Sequence, residues 1–171
     1  TLDDADLPAL ARSVTRRNHA RSRAVVLADT VAEATKRLRY VADGKVVQGV
    51  ALADSPAPTG PAFVYSGFGS QHRKMVKDLF AHAPFFRDRL TELDRIVDFE
   101  SGWSIRDIIL DDEQTYDTET AQVAITAIQI ALTDYLATLG ATPAAVVGMS
   151  MGEIAAAYAA GGLSAEDAML I

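Results

Sequence analysis

The chain has 171 residues, of which 49% are hydrophobic and 23% charged, as is usual for a globular protein of one domain or one domain with a small appendage. Acidic residues outnumber basic ones 23 to 16, and the formal net charge of -7 argues against nucleic-acid binding as the main function, because phosphates require a concentrated basic surface. No cysteine is present, no apolar run reaches the roughly 18 residues that cross a bilayer, and the acidic N-terminus lacks the features of a signal peptide, so we expect a cytoplasmic protein without a membrane partner, a thiol nucleophile or a metal site.

Residues 1–58 predict a small α/β unit. Helices are expected over residues 7–17 and 31–42, and strands over 23–28 and 46–52. The segment 54–61, rich in proline, reads as a linker. A basic cluster in this unit could bind nucleic acid, but the overall acidity favours a solvated or domain-docking face. Its members are Arg12, Arg16, Arg17, His19, Arg21 and Arg23.

Residues 59–171 predict a second unit in which strands and helices alternate. The alternation indicates an α/β fold with a parallel sheet flanked by helices. The chain begins without Met and stops inside a helix that Ser164 opens, so we expect a fragment. The predicted strands cover residues 62–65 and 144–147, and the predicted helices cover 75–83, 84–97, 118–139 and 153–160.

The pentapeptide Gly148-Met149-Ser150-Met151-Gly152 lies between the second of these strands and an alanine-rich helix. A strand, a Gly-x-Ser-x-Gly turn and a helix form the nucleophile elbow, which holds a serine hydroxyl at the tip of a tight bend. The pattern is short and occurs by chance in many proteins, but the flanking elements favour a catalytic serine. The N-terminus of the following helix favours negative charge at the same place. Ser150 is therefore the candidate nucleophile.

A second glycine turn, Gly67-Phe68-Gly69, follows the strand at residues 62–65. It lacks the third glycine of a dinucleotide site and the Gly-Lys-Ser/Thr of a phosphate loop. In serine acyl transfer, one oxyanion donor is the N–H after the nucleophile, here Met151, and the other comes from a second loop at the strand ends. We expect the backbone of Phe68 to supply it. The alternative is a plain structural turn.

The general base is harder to place. A serine hydroxyl needs a base to become a useful nucleophile, and the chain contains only His19, His72 and His82. His72 is the one local candidate, since it follows the glycine turn closely. Its alternative is an ordinary surface position.

Several sequence blocks, in the same order and spacing, resemble the acyltransferase domain of polyketide and fatty acid synthases. Residues 1–58 resemble the linker subdomain that follows the ketosynthase in modular polyketide synthases, and residues 59–171 resemble the N-terminal portion of the acyltransferase domain. The first glycine loop is most similar to that of the condensing synthase of mycolic acid assembly. The blocks are Phe63-Val64-Tyr65-Ser66-Gly67-Phe68-Gly69-Ser70-Gln71, Glu119-Thr120-Ala121-Gln122, Gly148-Met149-Ser150-Met151-Gly152-Glu153 and Gly161-Gly162-Leu163-Ser164.

The resemblance implies an activity and its partners. Ser150 would take an acyl group from a coenzyme A thioester and pass it to the phosphopantetheine thiol of an acyl carrier protein, with a ketosynthase domain as neighbour and no cofactor bound for the transfer. Phe68 would stand where the family usually has glutamine, which is tolerable because only its main chain is needed. The family's base, and the arginine that holds a substrate carboxylate, would fall beyond Ile171. The chain alone is therefore expected to be inactive.

The resemblance also implies a substrate pocket. Gln71 and Gln122 would line it, although Gln122 could equally be a polar residue on a helix surface. Met149 replaces the histidine that usually precedes the serine. This change suggests a larger or more apolar acyl group, unless the methionine merely fills core space.

Two other functions fit part of the pattern. An unrelated α/β serine esterase would need an acid and a histidine after the serine, and would leave the loop at Phe68 as a coincidence. A catalytically inactive docking module would bind a carrier protein without forming an acyl-serine.

Overall fold

The computed structural model describes residues 2–17, 20–55, 59–72, 74–113 and 116–171. The chain divides into two compact units, Thr1–Pro58 and Thr59–Ile171. His19 of the basic cluster, residues 56–58 of the proline-rich linker and Arg73 after the first glycine loop lie outside the described residues. None of the helices in the described ranges is long and apolar enough to cross a membrane.

The first unit is a two-stranded antiparallel sheet with two helices. Strands β1 (Arg23–Val26) and β2 (Val50–Ala53) pair from Arg23↔Ala53 to Val26↔Val50. Helix α1 (Leu7–Thr15) follows a short 3-10 turn, and α2 (Val31–Ala42) begins where Thr30 accepts a hydrogen bond from the Glu33 backbone N–H. The strand predicted from residue 46 begins only at residue 50, because Gly49 has a φ of 79° and interrupts extended backbone.

The second unit contains a parallel sheet flanked by helices, which confirms the predicted fold class. Strands β3 and β4 pair in parallel from Ala62↔Ala145 to Tyr65↔Gly148, so their carboxyl ends lie at the same edge. The elements are β3 (Ala62–Tyr65), α3 (Lys77–His82), α4 (Pro84–Ser101), α5 (Ile105–Leu110), α6 (Thr118–Thr138), β4 (Ala145–Gly148), α7 (Gly152–Ala159) and α8 (Ala165–Leu170).

Two of the predicted helices in this unit differ from the structure by more than one residue, and α5 was not predicted. Helix α3 begins at Lys77 instead of residue 75, because Lys74 and Val76 have φ values of 63° and 56°, which a right-handed helix cannot contain. Helix α4 runs to Ser101 instead of residue 97, because the first residue that stops it is Gly102, with a φ of 74°.

The core of the second unit lies between the helices α4, α5 and α6. Helix α6 runs antiparallel to the strands, as the hydrogen bond of 2.8 Å between the Tyr65 and Thr133 hydroxyls and the contact of Gln129 with Ser66 both require. The N-terminal half of α6 therefore extends past the carboxyl edge of the sheet. The largest fully buried side chains are Phe86, Leu90, Leu93, Ile105 and Ile130.

A buried carboxylate joins α4 to α5. Asp94 is 6% exposed and accepts hydrogen bonds from the Ile105 backbone N–H at 2.6 Å and the Ser104 hydroxyl at 3.0 Å. The first N–H groups of a helix have no partner inside the helix, so this side chain satisfies donors that would otherwise be buried and unpaired.

We expect Asp94→Ala to lower the free energy of unfolding by roughly 2 kcal/mol, because it leaves the buried Ile105 N–H without a hydrogen-bond acceptor. Urea unfolding followed by circular dichroism measures the change. Asp98→Ala, at an exposed position of the same helix, is the control and should stay within about 0.5 kcal/mol of the original chain. Equal effects of the two substitutions would contradict the bridging role of Asp94.

Candidate active site

Ser150 lies at the bend between β4 and α7. Its φ is 55°, a left-handed conformation that costs a non-glycine residue about 1–2 kcal/mol. The bend is closed by hydrogen bonds from Gly152 N–H to Met149 O at 3.0 Å and from Glu153 N–H to Ser150 O at 2.9 Å. Ser150 is exposed at this bend. Strain of this kind persists only where the surrounding structure fixes it, and it often occurs at functional residues.

The glycines on either side of Ser150 are required by close backbone contacts. A Cβ at position 148 would lie 2.5 Å from the Glu153 backbone nitrogen. A Cβ at position 152 would lie 2.7 Å from Ser66 O and closer still to Tyr65 O. Both distances are shorter than real Cβ contacts, so neither position accepts a side chain without movement of the backbone.

The two glycine loops meet at the carboxyl edge of the sheet. Met149 N–H donates to Tyr65 O at 3.0 Å, which extends the pairing of the two strands by one residue. Gly67 is buried against the elbow, since a Cβ built there would lie 3.3 Å from Ser150 Cβ and 2.7 Å from Met149 O. The loop that contains Phe68 is therefore in direct contact with the bend that contains Ser150.

The two backbone amides predicted as oxyanion donors are unpaired. Among the described residues, no acceptor receives a hydrogen bond from the N–H of Phe68 or of Met151. The Phe68 side chain is 48% exposed and does not cover the loop as a core residue would. Free amides next to a strained, exposed serine are the arrangement that stabilises an oxyanion in acyl transfer.

Sequence reasoning did not identify Gln129, which holds the Phe68 loop to α6. Its Nε2 donates to Ser66 O at 2.8 Å and to Ser66 Oγ at 3.3 Å. Gln71 turns back onto the same loop, where its Oε1 accepts from Gly69 N–H at 2.8 Å. The only sequence signal for Gln129 is a polar residue within the apolar spacing of α6.

Gln122, predicted to line the pocket, is an exposed residue of α6. It precedes Gln129 by seven residues, which is two helical turns or about 10 Å, and so lies on nearly the same helix face. Because α6 runs antiparallel to the strands, Gln122 lies beyond the edge of the sheet at which Ser150 stands. No hydrogen bond joins its side chain to another described residue.

None of the described histidines is hydrogen-bonded to Ser150. The Ser150 hydroxyl has no hydrogen-bond partner within the described ranges. His72 is exposed, and His82 Nδ1 lies 2.8 Å from Asp78 O on its own helix. No group of three or more metal-binding side chains occurs among the described residues either.

A polar cluster anchors α7 behind the elbow. Asp134 on α6 pairs with Arg89 Nε of α4 at 2.7 Å and accepts from the Tyr158 hydroxyl at 2.8 Å. Burial and the hydrogen bond to Asp134 raise the pKa of Tyr158. Burial opposes the charge of Arg89, but hydrogen bonds with Glu92, Asp134 and Tyr158 outweigh it, and its pKa is raised. Both raised pKa values keep Arg89 charged and Tyr158 protonated at neutral pH.

Two surface grooves of the described residues lie elsewhere. One of about 350 Å³ is lined by Phe80 of α3, by Arg87 and Arg95 of α4 and by Arg106 of α5. Another, of about 500 Å³, belongs to α2 in the first unit. Neither contains a predicted site residue, so the candidate site is the open edge of the sheet and not one of these grooves.

Comparisons with known proteins agree with this geometry. A family model described as the acyl transferase domain matches residues 62–171. The chain is 38% identical to the phthioceranic/hydroxyphthioceranic acid synthase of Mycobacterium tuberculosis over 156 residues, which are 91% of this chain and 7% of that protein. The chain therefore spans only a small part of the curated relatives that it matches.

Two solved structures are similar as well. The acyltransferase domain of the polyketide synthase PpsC of Mycobacterium tuberculosis is 39% identical, with a TM-score of 0.61 over 65% of this chain and 34% of that chain. The acyltransferase domain from the second module of the salinomycin polyketide synthase is 30% identical, with a TM-score of 0.63 over 96% of this chain and 42% of that chain.

We expect Gly152→Ala to lower the free energy of unfolding by about 3 kcal/mol, because its Cβ would force α7 away from the end of β3. Chemical denaturation measures the loss. Gly162→Ala is the matched control: its Cβ would meet only Ala157 O, at 3.3 Å, and should cost less than about 1 kcal/mol. A Gly152→Ala chain as stable as this control would refute the close approach.

Proposed function

Because the chain belongs to the acyl transferase domain family, we propose that it carries the nucleophile of an acyltransferase in polyketide or lipid synthesis. The enzyme moves an acyl group from a coenzyme A thioester to the phosphopantetheine thiol of an acyl carrier protein. The observation that carries this proposal is the strained, exposed Ser150 beside the free amides of Phe68 and Met151.

The proposed reaction has two steps of the same kind. The Ser150 oxygen attacks the thioester carbonyl while a base takes its proton, and the N–H groups of Phe68 and Met151 stabilise the oxyanion. The C–S bond then breaks, which leaves an acyl-serine and releases coenzyme A as a thiol. In the second step, the phosphopantetheine thiol loses its proton to the base and its sulfur attacks the ester carbonyl. The ester C–O bond then breaks, the acyl group remains on the phosphopantetheine sulfur as a thioester, and the Ser150 oxygen takes the proton back.

The base is proposed to come from a segment other than the described residues. Support comes from the Ser150 hydroxyl, which has no hydrogen-bond partner among them. A second supporting feature is the outer face of the parallel sheet, where Val64 and Val147 are 75% and 54% exposed. Parallel sheets are normally covered by other elements on both faces. The exposure of these two valines is therefore what we expect if this chain packs within a larger domain.

The substrate pocket is proposed to lie around Met149, Gln122 and Gln71. Met149 is 61% exposed beside Ser150, so its side chain is available to a ligand and does not serve as core filling. An apolar residue at this position favours an apolar acyl group over a charged one. The name of the phthioceranic/hydroxyphthioceranic acid synthase, a relative at 38% identity, supports a role in the synthesis of a lipid acid.

Residues 1–58 are proposed to be the linker subdomain between a ketosynthase and the acyltransferase. The family model begins only at residue 62, whereas the salinomycin acyltransferase structure covers 96% of the chain and so extends through this unit. The proposed partners are accordingly an acyl carrier protein and a neighbouring ketosynthase domain. The cytoplasmic location expected from the sequence stays a prediction.

Ser150→Ala should abolish covalent acyl loading of the full-length protein that carries this chain, because no other group replaces the attacking oxygen. Radiolabelled malonyl-, methylmalonyl- and palmitoyl-coenzyme A, followed by gel autoradiography, cover charged, branched and long acyl groups. Ser101→Ala, at the exposed end of α4, is the control and should load normally. Undiminished loading of the Ser150 variant, or a protein that no thioester loads, would refute the proposal, the latter in favour of an inactive docking module.

The 171-residue chain by itself should transfer no acyl group, because none of its described residues is a base hydrogen-bonded to Ser150. Mass spectrometry of the intact chain after incubation with the same thioesters and a phosphopantetheine-bearing carrier protein detects both the acyl-serine and the product. The full-length protein, assayed in parallel, is the positive control. Turnover by the isolated chain would show that one of its own residues acts as the base.

A further inference from the structure

The direction of the Phe68 N–H is set by whatever holds the carbonyl of Gly67. The two groups belong to one peptide unit, and in a planar trans peptide the C=O and the N–H point in opposite directions. Ser70 Oγ donates to Gly67 O at 3.3 Å. The bond fixes one end of the peptide unit and thereby turns the Phe68 N–H to the other side.

Ser70 is itself held by a chain of hydrogen bonds that starts on α6. Gln129 Nε2 donates to Ser66 Oγ at 3.3 Å, Ser66 Oγ donates to Ser70 Oγ at 3.1 Å, and Ser70 completes the chain at Gly67 O. The direction is determined by its ends, because an amide NH₂ only donates and a carbonyl only accepts. Each hydroxyl therefore accepts once and donates once, and successive bonds polarise one another.

The orientation of the Gln129 amide is equally determined. Its Nε2 also donates to Ser66 O at 2.8 Å, and a flipped amide would place two oxygens against each other. In this orientation Oε1 is buried and has no hydrogen-bond partner within the described ranges. A buried acceptor without a hydrogen bond costs free energy, so it offsets part of what the two Nε2 hydrogen bonds contribute to stability.

We propose that Gln129, Ser66 and Ser70 are positioning residues that aim the Phe68 N–H at the oxyanion formed on Ser150. The three side chains touch neither the substrate nor the reacting atoms; they act through the Gly67–Phe68 peptide. This role rests on the proposed acyl-transfer function. It explains why Ser66 and Ser70 are hydrogen-bonded within the Phe68 loop, which the oxyanion donors alone do not explain.

Ser70→Ala tests the last bond of the relay. In the full-length protein, we expect the rate constant for acyl-Ser150 formation to fall about tenfold, less than the loss of a whole oxyanion donor, because the amide remains but is no longer held. Rapid-quench loading uses whichever of the three radiolabelled thioesters loads the original protein fastest. The apparent dissociation constant of that thioester should not change, and Ser70→Thr should restore the rate to within about threefold.

Gln129→Met tests the start of the relay. Methionine keeps the length of the side chain but can neither donate nor leave a buried oxygen unpaired. We expect a slower loading rate together with an unchanged or higher melting temperature, a combination that a structural role would not produce. A variant that melts lower and loads at the original rate would overturn the proposal.

Two controls separate this inference from the function on which it rests. Ser101→Ala makes the same chemical change as Ser70→Ala at an exposed site and should leave the loading rate unchanged. Ser150→Ala is measured beside the relay variants. If Ser150→Ala is inert while Ser70→Ala and Gln129→Met load at the original rate, the relay is wrong and the acyltransferase stands; if Ser150→Ala still loads, the proposed function itself fails.

Discussion

The site depends on how closely the first turn of α7 approaches the end of β3. The carbonyls of Tyr65 and Ser66 lie against Gly152, where even a methyl group has no space. This approach has two consequences. It bends the chain so sharply that Ser150 takes a left-handed φ, and it brings the Phe68 loop against the bend. One steric constraint therefore exposes Ser150, the proposed nucleophile, and places the Phe68 loop beside it.

Contacts on the far side of α7 keep this approach in place. Asp134 joins Arg89 of α4 to Tyr158 near the C-terminus of α7, so three helices share one charged cluster. Tyr65 is part of the same support, since its hydroxyl bonds Thr133 on α6, and burial raises its pKa. Tyr65 and Tyr158 both keep their protons at neutral pH, which preserves their hydrogen bonds. Helix α7, which begins directly after Met151, is thereby held near its C-terminus by this cluster and at its first turn by the close approach to β3.

Local patterns predicted most of the elements. The bounds of β3 and α2 follow directly from composition and capping, because apolar runs, the Thr30 cap and the stop after Ala42 are all local signals. The start of α3 did not follow, since it depends on positive φ at Lys74 and Val76. Helix α5 was not predicted either: its Ser104 cap is a local signal, but Asp94, which accepts the Ile105 N–H, lies eleven residues earlier. Sequence motifs predict local backbone geometry, but they do not predict contacts between residues that are distant in the sequence.

The same limit separates the site residues that could be predicted from those that could not. A glycine-flanked serine that follows a strand is a sequence signature of the nucleophile elbow, so Ser150 and its neighbour Met151 could be predicted from the sequence alone. Gln129 could not, because its partner Ser66 lies 63 residues away and a single polar residue on an apolar helix usually faces solvent. Gln122, on the same face two turns earlier, carries the more familiar motif but makes no side-chain hydrogen bond among the described residues.

In the loop at Phe68, the main chain and the side chains have different proposed roles. Its amide is the group proposed to meet the oxyanion, so the side chain at position 68 is free to be apolar. Phe68 and Met149 are 48% and 61% exposed, and they place apolar side chains on the two loops that meet at Ser150. The polar side chains, Ser66 and Ser70, are instead turned toward the backbone of their own loop. In the proposed site, an acyl chain would contact these apolar side chains, and its carbonyl oxygen would accept hydrogen bonds from the Phe68 and Met151 amides. A site for apolar thioesters requires apolar and polar groups to be separated in this way.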